Sequence, residues 1–402
     1  MLCAGSHEAG VSVWERSRSG GNYHSRMALD PNELIRYARH LTLPEVGVEG
    51  QERLRAASVL LIGAGGLGSP AALYLAAAGV GRLGIIDGDR VDLTNLQRQV
   101  LHGTGAIGRL KTESGAARLA DLNPGVTVEA HPELLTSANA LDLFQRYDLL
   151  VDGSDNFPTR YLVNDAAVLT GRPYVYGSIF RFDGQVSLFG VPGGPCYRCL
   201  FAEPPAPELV PSCAEAGVLG VLPGIVGTMQ ALEAIKWILG IGESLAGRLV
   251  LFDGLRLRTR ELRVHRDRAC VVCGDNPVIT APIDYASFCG TTAVHDEETE
   301  VSPEALQAAL QTPEPPQVVD VRDPWEWDVV QIAGSRLIPL SRLGDSLTHL
   351  DPRREIVTVC HRGVRSMTAR RLLRGAGFGR VRSLAGGIDA WAARVDQTAL
   401  RY

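Results

Sequence analysis

Apolar positions in this chain come in short Val/Ile/Leu-rich runs, bounded by glycine or carboxylates and separated by stretches of helical period. Runs at 59–62, 83–86, 126–130, 148–152 and 174–177 are too short for buried helices, and their alternation with helical segments reads as β-α-β. The segment 185–189 reads as an antiparallel addition. Together they predict a doubly wound, mostly parallel sheet over 58–190. Residues 30–54 precede it as a leading helix, capped by Asp30 with Pro31 in the first turn, a loop, and a short helix near 49–55. A helix at 225–239 follows. The pattern then lapses over 276–300, read as a linker that ends in the acidic run His295-Asp-Glu-Glu-Thr-Glu. It restarts at 301–395 with Ser302-Pro303, strands at 318–321 and 356–359, and a helix at 366–374. That is a second, smaller α/β domain. Residues 1–29, polar and glycine/serine-rich, read as a disordered extension, with Met27 an alternative start.

Composition changes this picture only in detail. A net charge of −5 gives no reason to expect nucleic acid. No apolar run approaches the roughly 20 residues that span a bilayer, so a soluble, cytoplasmic protein is expected. Of the 40 basic residues only Lys111 and Lys236 are lysine. An ammonium retained against so strong an arginine bias marks Lys111, because the two cations are not equivalent at a phosphate. Eight cysteines without a secretory signal predict metal and thiol chemistry in a reducing compartment rather than disulfides.

The candidate chemistry begins where the run 59–62 breaks into Gly63, Gly65, Gly66 and Gly68. A strand, a glycine turn and a helix form the unit that receives phosphates at a helix N-terminus. Asp87, at the end of the next strand, is placed for a ribose hydroxyl. Alone, this pattern is a weak signal whose commonest reading is a nicotinamide or flavin dinucleotide site, hence an oxidoreductase. Arg98 and Lys111 add two cations, which a triphosphate needs and a redox dinucleotide does not. Asp152 and Asp155 end the strand at 148–152, at the sheet edge where ligands bind. Asp155 is a candidate for Mg²⁺ or, equally, for the N-cap of the next helix. Cys196/Cys199 and Cys270/Cys273, two Cys-x-x-Cys pairs, predict one tetrahedral zinc site that clips the end of the domain to its middle. Cys213, left over in a loop between the pairs, is a candidate nucleophile or a buried thiol. In Val357-Thr-Val-Cys-His-Arg-Gly-Val-Arg-Ser a strand runs into Cys360 and a loop closed by Arg365. Four residues separate Cys360 from Arg365, a tighter ring than that of a cysteine phosphatase, and suited to a persulfide sulfur.

These motifs resemble known families. Arg-Tyr-Ala-Arg-His, Gly-Ala-Gly-Gly-Leu-Gly, Asp87-Gly-Asp89, Asn95-Leu-Gln-Arg98-Gln, Lys111, Ser-Asp155-Asn156 and the cysteine pairs make 30–275 similar to the MoeB/ThiF-type adenylyltransferases related to ubiquitin-activating enzymes. Cys-His-Arg-Gly-Val-Arg makes 301–395 similar to a rhodanese, although the chain reads Val330-Gln-Ile where such domains often carry Gly-His-Ile. The fused pair resembles the MoeZ-type adenylyltransferase/sulfurtransferases. The resemblance implies a Rossmann-like ATP-binding domain and ATP-dependent adenylation of the C-terminal glycine of a small ubiquitin-like sulfur carrier. Rhodanese sulfur transfer would then give a thiocarboxylate, for a molybdopterin, thiamine, tRNA-thiolation or cysteine pathway. It places Gly66 on the nucleotide, Asp87 on the ribose, Arg98 and Lys111 on the phosphates, and Asp155 on Mg²⁺. Arg39 would reach into the site of a second subunit, which implies a homodimer. Cys213 corresponds to a crossover-loop cysteine of acyl or disulfide intermediates, and Cys360 to the persulfide carrier, charged by a cysteine desulfurase persulfide or thiosulfate. The alternative within this class is an adenylyltransferase whose rhodanese domain only docks partners.

Overall fold

The computed structural model describes residues 29–205, 217–290 and 298–402. Described residues through Cys289 form one unit and those from Gly290 onward form another. The extension 1–28 and Cys213 lie outside the described residues.

Asp30 caps α1 (Pro31–Arg36), accepting from the N–H groups of Asn32 (2.7 Å) and Glu33 (2.9 Å), while Glu33 accepts from the Asp30 N–H at 2.8 Å. This is a full capping box. The helix breaks at Tyr37, whose buried hydroxyl accepts from Asn123, and α2 (Ala38–Leu41) restarts beyond it. Arg36 and Arg39, three apart in sequence, thus flank an interruption. α3 (Gly47–Ala56) then leads into the sheet.

The first unit is built on eight strands: β1 (Ser58–Ile62), β2 (Arg82–Ile86), β3 (Thr127–His131), β4 (Leu149–Asp152), β5 (Tyr174–Phe180), β6 (Asp183–Phe189), β7 (Arg248–Asp253) and β8 (Arg258–Arg263). Their order is β3-β2-β1-β4-β5-β6-β7-β8, parallel through β5 and antiparallel beyond. Both faces are covered, so β1 needs no polar positions. Val59 and Leu61 enter one core with α4 (Gly68–Ala78) and the long α9 (Val221–Leu239); Leu60 and Ile62 enter the other with α7 (Phe157–Thr170). Between these lie α5 (Lys111–Leu122), α6 (Ala140–Gln145) and the short α8 (Tyr197–Leu200).

In this unit two strands escaped the sequence reading, β7 and β8. β8 reads Arg-Thr-Arg-Glu-Leu-Arg with all six residues exposed. An edge strand has no apolar face to display, and its charges guard it against pairing with other chains.

Within the stretch read as linker, α10 (Tyr285–Phe288) is built into the first unit. The Tyr285 hydroxyl donates to Asp165 at 2.9 Å, and Phe288 packs edge-on to Tyr161 at 5.1 Å between centroids. The Asp165 carboxylate, fully buried, is bound by Arg198 through two 2.8 Å bonds. The burial cost of that pair is met by its bidentate geometry and the tyrosine donor.

The second unit is an all-parallel sheet ordered β11-β10-β12-β13-β9, from β9 (Glu300–Val301), β10 (Gln317–Asp320), β11 (Arg336–Leu337), β12 (Ile356–Val359) and β13 (Val381–Leu384). α11 (Pro303–Leu310) and α14 (Gly387–Arg394) belong to it, as do α12 (Pro324–Val329) and α13 (Val364–Gly375). Here too the central strand, β12, is buried on both faces. In this unit β9, β11 and β13 escaped the sequence reading.

Candidate functional site

In the first unit the candidate residues gather at the C-terminal ends of β1, β2 and β4, where doubly wound sheets bind ligands. Gly63 adopts φ +91°, and a Cβ on Gly68 would lie 1.9 Å from the Gly63 carbonyl oxygen, so neither position admits a side chain. The turn brings the N-terminus of α4 up against the end of β4.

Ala64 in this turn is clamped through the peptide groups on both of its sides. Its N–H donates to Asp87 Oδ2 at 2.8 Å, and its carbonyl accepts from His102 Nε2 at 2.9 Å. Asp87 Oδ1 accepts the Asp89 N–H, also at 2.8 Å. Asp87 thus organises the glycine turn. His102 is buried, and burial holds it neutral, below the ordinary histidine range, with the nearby Lys111 charge adding to the effect. A neutral ring that donates from Nε2 accepts at Nδ1, where Ser114 Oγ lies at 3.0 Å.

Lys111, 5% exposed, opens α5 and bonds Asp89 at 2.8 Å, with Asp87 at 3.9 Å. One ammonium between two carboxylates is held close to the glycine turn. Arg98 is half-buried; its Nη1 donates to the Thr94 carbonyl at 3.1 Å, and its stem lies beside Gly66. The Asn95 amide donates to Thr94 Oγ1 at 3.0 Å.

At the end of β4, Asn156 rather than Asp155 is the cap of α7, accepting from Thr159 N–H at 3.0 Å. Asp155 is exposed and contacts only the Asn156 amide, at 3.4 Å, among the described hydrogen bonds. Asp152 is fully buried, and burial pushes it above the ordinary carboxylate range. Its Oδ1 accepts the Ser154 N–H at 2.9 Å, and its Oδ2 has no partner among the described residues. Arg39, by contrast, is exposed on α2, and no side-chain hydrogen bond or ion pair engages it among the described residues. The structure does not bring it to this cluster.

The four paired cysteines meet. Cys196 Sγ lies 3.9 Å from Cys199 and 3.7 Å from Cys270, Cys199 lies 3.3 Å from Cys273, and all four sulfurs are within 4.8 Å of one another. Tetrahedral zinc with Zn–S near 2.3 Å sets sulfurs about 3.8 Å apart. The Asp267 N–H also points at Cys199 Sγ, at 3.3 Å, as suits a thiolate. The donor set fits a structural zinc ion.

In the second unit Cys360 follows β12 and is fully buried. Its sulfur accepts the Gly363 N–H at 3.1 Å and lies 3.4 Å from Ser366 Oγ. Arg365, at the N-terminus of α13, forms two 2.7 Å bonds to Glu326. Burial would raise Glu326, but the bonds from Arg365 and from the Asp323 N–H hold it below the ordinary range. One backbone N–H thus points at the sulfur, and Arg365, which closes the loop, is tethered to Glu326.

His102, Glu326 and Tyr402 were not found from the sequence. Glu326 lies in Asp-Val-Arg-x-x-x-Glu, a spacing that could have drawn notice; His102 and Tyr402 carry no local signal, because their partners are remote in the chain.

Residues 37–272 match the ThiF family, and 302–394 match the rhodanese-like domain. The chain is 47% identical over 385 residues to the probable adenylyltransferase/sulfurtransferase MoeZ of Mycobacterium tuberculosis, covering 93% of this chain and 97% of that protein. It is 44% identical over 409 residues to the adenylyltransferase and sulfurtransferase MOCS3 of Mus musculus, covering 94% and 89%. Over 263 residues it is 57% identical to the sulfur carrier protein adenylyltransferase of Thermus thermophilus, covering 64% and 97%. The fold is similar to a crystal structure of E. coli MccB with ATP, at TM-score 0.52 and 23% identity, covering 60% of this chain and 73% of that one.

Proposed function

This chain belongs to the ThiF family and carries a rhodanese-like domain, and from that premise we propose that it adenylates a small ubiquitin-like sulfur carrier ending in Gly-Gly and converts the adenylate to a thiocarboxylate. The observation that carries the reading is the presence in one chain of a phosphate-shaped glycine turn beside Lys111 and a cysteine loop built to hold an anionic sulfur.

A carboxylate is a poor acyl donor. Its attack on the α-phosphorus of ATP gives an acyl-adenylate and pyrophosphate, a step that depends on positioning and charge neutralisation more than on a protein base. The N-terminus of α4 and the glycine turn would cradle phosphate, with Asp87 and Asn95 toward the sugar side. Arg98 and Lys111 would meet the phosphates. Since Lys111 bonds Asp89, that bond would be exchanged for a phosphate contact. Asp155, left free of the capping role by Asn156, would hold Mg²⁺, which supplies charge neutralisation when bound. Arg39, exposed on α2, would serve the site of a second subunit in a homodimer.

The terminal sulfur of a Cys360 persulfide then attacks the acyl carbon and AMP leaves. The product is an acyl disulfide on Cys360. A thiolate, assigned to Cys213, attacks the Cys360 sulfur, the S–S bond to the acyl sulfur breaks, and the thiocarboxylate departs with the electron pair. The resulting Cys213–Cys360 disulfide is reduced by an external thiol. Cys360 is recharged from a cysteine desulfurase persulfide or from thiosulfate. The four cysteines 196, 199, 270 and 273 would hold zinc in a structural role.

The test is a Gly-Gly-ending carrier incubated with the chain, ATP, Mg²⁺ and a persulfide donor, followed by intact-mass spectrometry. The expected product is heavier by the exchange of one oxygen for sulfur, and Cys360→Ala stops at the adenylate. A carrier that gains neither adenylate nor sulfur refutes the reading.

A further inference from the structure

We propose that Tyr402 is a positioning residue of the sulfur-carrying loop, holding both ends of 360–365 from a distant part of the chain. The proposal rests on Cys360 being the sulfur carrier, as above.

At one end of the loop, the Tyr402 ring stacks on His361, the residue after the nucleophile, with centroids 4.4 Å apart and planes 12° from parallel. At the other end it acts through Glu326. Its hydroxyl donates to Glu326 Oε1 at 2.8 Å, and the same carboxylate grips Arg365 through both oxygens at 2.7 Å. The hydroxyl in turn accepts from Arg322 Nη1 at 2.8 Å. Arg322 is fully buried and fixed to Asp320 by bonds from Nε and Nη2. Tyr402 is therefore anchored to the end of β10 by a group that cannot move far, and it passes that constraint to both flanks of Cys360. Trp325 packs edge-on to the ring at 5.6 Å.

The charged and titratable groups about Cys360 come from every element around it. Its own loop supplies His361, Arg362 and Arg365; α12 and the residue before it supply Glu326 and Asp323; α14 supplies Asp389, which faces His361. Arg322, Asp320 and Tyr402 complete the set. Arg365, the cation whose charge couples to Cys360, is also bound by a carboxylate. The Tyr402 O–H bond disperses the charge of that carboxylate. Without it, Glu326 draws harder on Arg365, and less of the Arg365 field reaches a thiolate or persulfide.

Tyr402 also packs against the core that includes Val301, Leu306 and Trp391. A packing role alone predicts lower stability with unchanged sulfur chemistry, so the two readings separate. The experiment measures alkylation of Cys360 in the full chain by iodoacetamide against pH, resolved from the other cysteines by peptide mass spectrometry. Tyr402→Phe keeps the ring and removes the hydroxyl; we expect its midpoint to rise by roughly half a pH unit, about threefold slower alkylation below the midpoint. In Tyr402→Ala a larger rise and roughly tenfold slower thiosulfate-to-cyanide sulfur transfer are expected, since the His361 contact goes too. An unmoved or lowered midpoint in Tyr402→Phe overturns the proposal, and this holds even if Tyr402→Ala fails to fold. Alkylation needs no carrier and no sulfur donor, so this failure is distinct from failure of the carrier reaction.

Discussion

The residues that shape the two sites do much of their work through backbone groups. Asp87 and His102 grip the two peptide groups that flank Ala64, and Gly363 presents its N–H to Cys360. A clamp of this kind depends on protonation. His102, His131 and His361 are all held below the ordinary histidine value of 6.5, in each case mainly by burial. Their folded state binds protons less well than the unfolded chain. The stability they contribute is present above 6.5 and is lost as pH falls below it toward their depressed folded values. The melting temperature should therefore fall between pH 7 and pH 5.5, measured by circular dichroism at fixed ionic strength. His102→Asn, which cannot titrate, should flatten part of that slope; an unchanged slope would remove His102 from the account.

Among elements, the cysteine cluster is the most consequential junction. Cys196 is the N-cap of α8 and Cys199 lies within it, Cys270 and Cys273 lie beyond β8, and Arg198 between the first pair binds Asp165, to which Tyr285 of α10 is also bound. A metal at the sulfurs would thus secure α8, the segment after β8 and, through Arg198, α10. Structural zinc in small peptides contributes about 10–16 kcal/mol to folding; a domain with its own large core should depend on it less. We expect close to one zinc per chain by elemental analysis, lost in Cys196→Ser/Cys270→Ser, with the first unit's melting temperature lowered. The second unit's transition should be unaffected. A chain that binds no zinc at neutral pH would contradict this.

For the whole molecule, the chemistry is divided between units that each carry a complete sheet and core. Two half-reactions should therefore be separable by substitution. Lys111→Ala is expected to reduce carrier-dependent ATP–pyrophosphate exchange roughly 100-fold, the scale of losing one preorganised charge at a reacting phosphate, and to leave thiosulfate-to-cyanide transfer intact. Cys360→Ala should do the reverse. Loss of both activities in either variant would show that the sites do not work independently. Among the described residues no helix is long and apolar enough to cross a membrane.

What the sequence determined by itself was whatever is written in local spacing. Short continuous apolar runs placed β1, β2 and β4, because a strand covered on both faces is apolar nearly throughout. The glycine turn, the cysteine pairs and the Cys360 loop were legible because their partners are near neighbours or carry an unmistakable repeat. Tertiary structure decided the rest. β8, charged and exposed throughout, forms because the edge of β7 is available to pair with, not because its own pattern demands it, whereas β7 carries an apolar run, Leu249-Val-Leu-Phe252, that the reading passed over. Asn156 takes the cap that Asp155 was equally able to take, since spacing one residue apart cannot resolve which side chain turns back. The clamp by His102 and the grip of Tyr402 on the sulfur loop join groups 38 and 76 residues apart. Such pairings follow from chain path and packing, and no window along the sequence contains both partners.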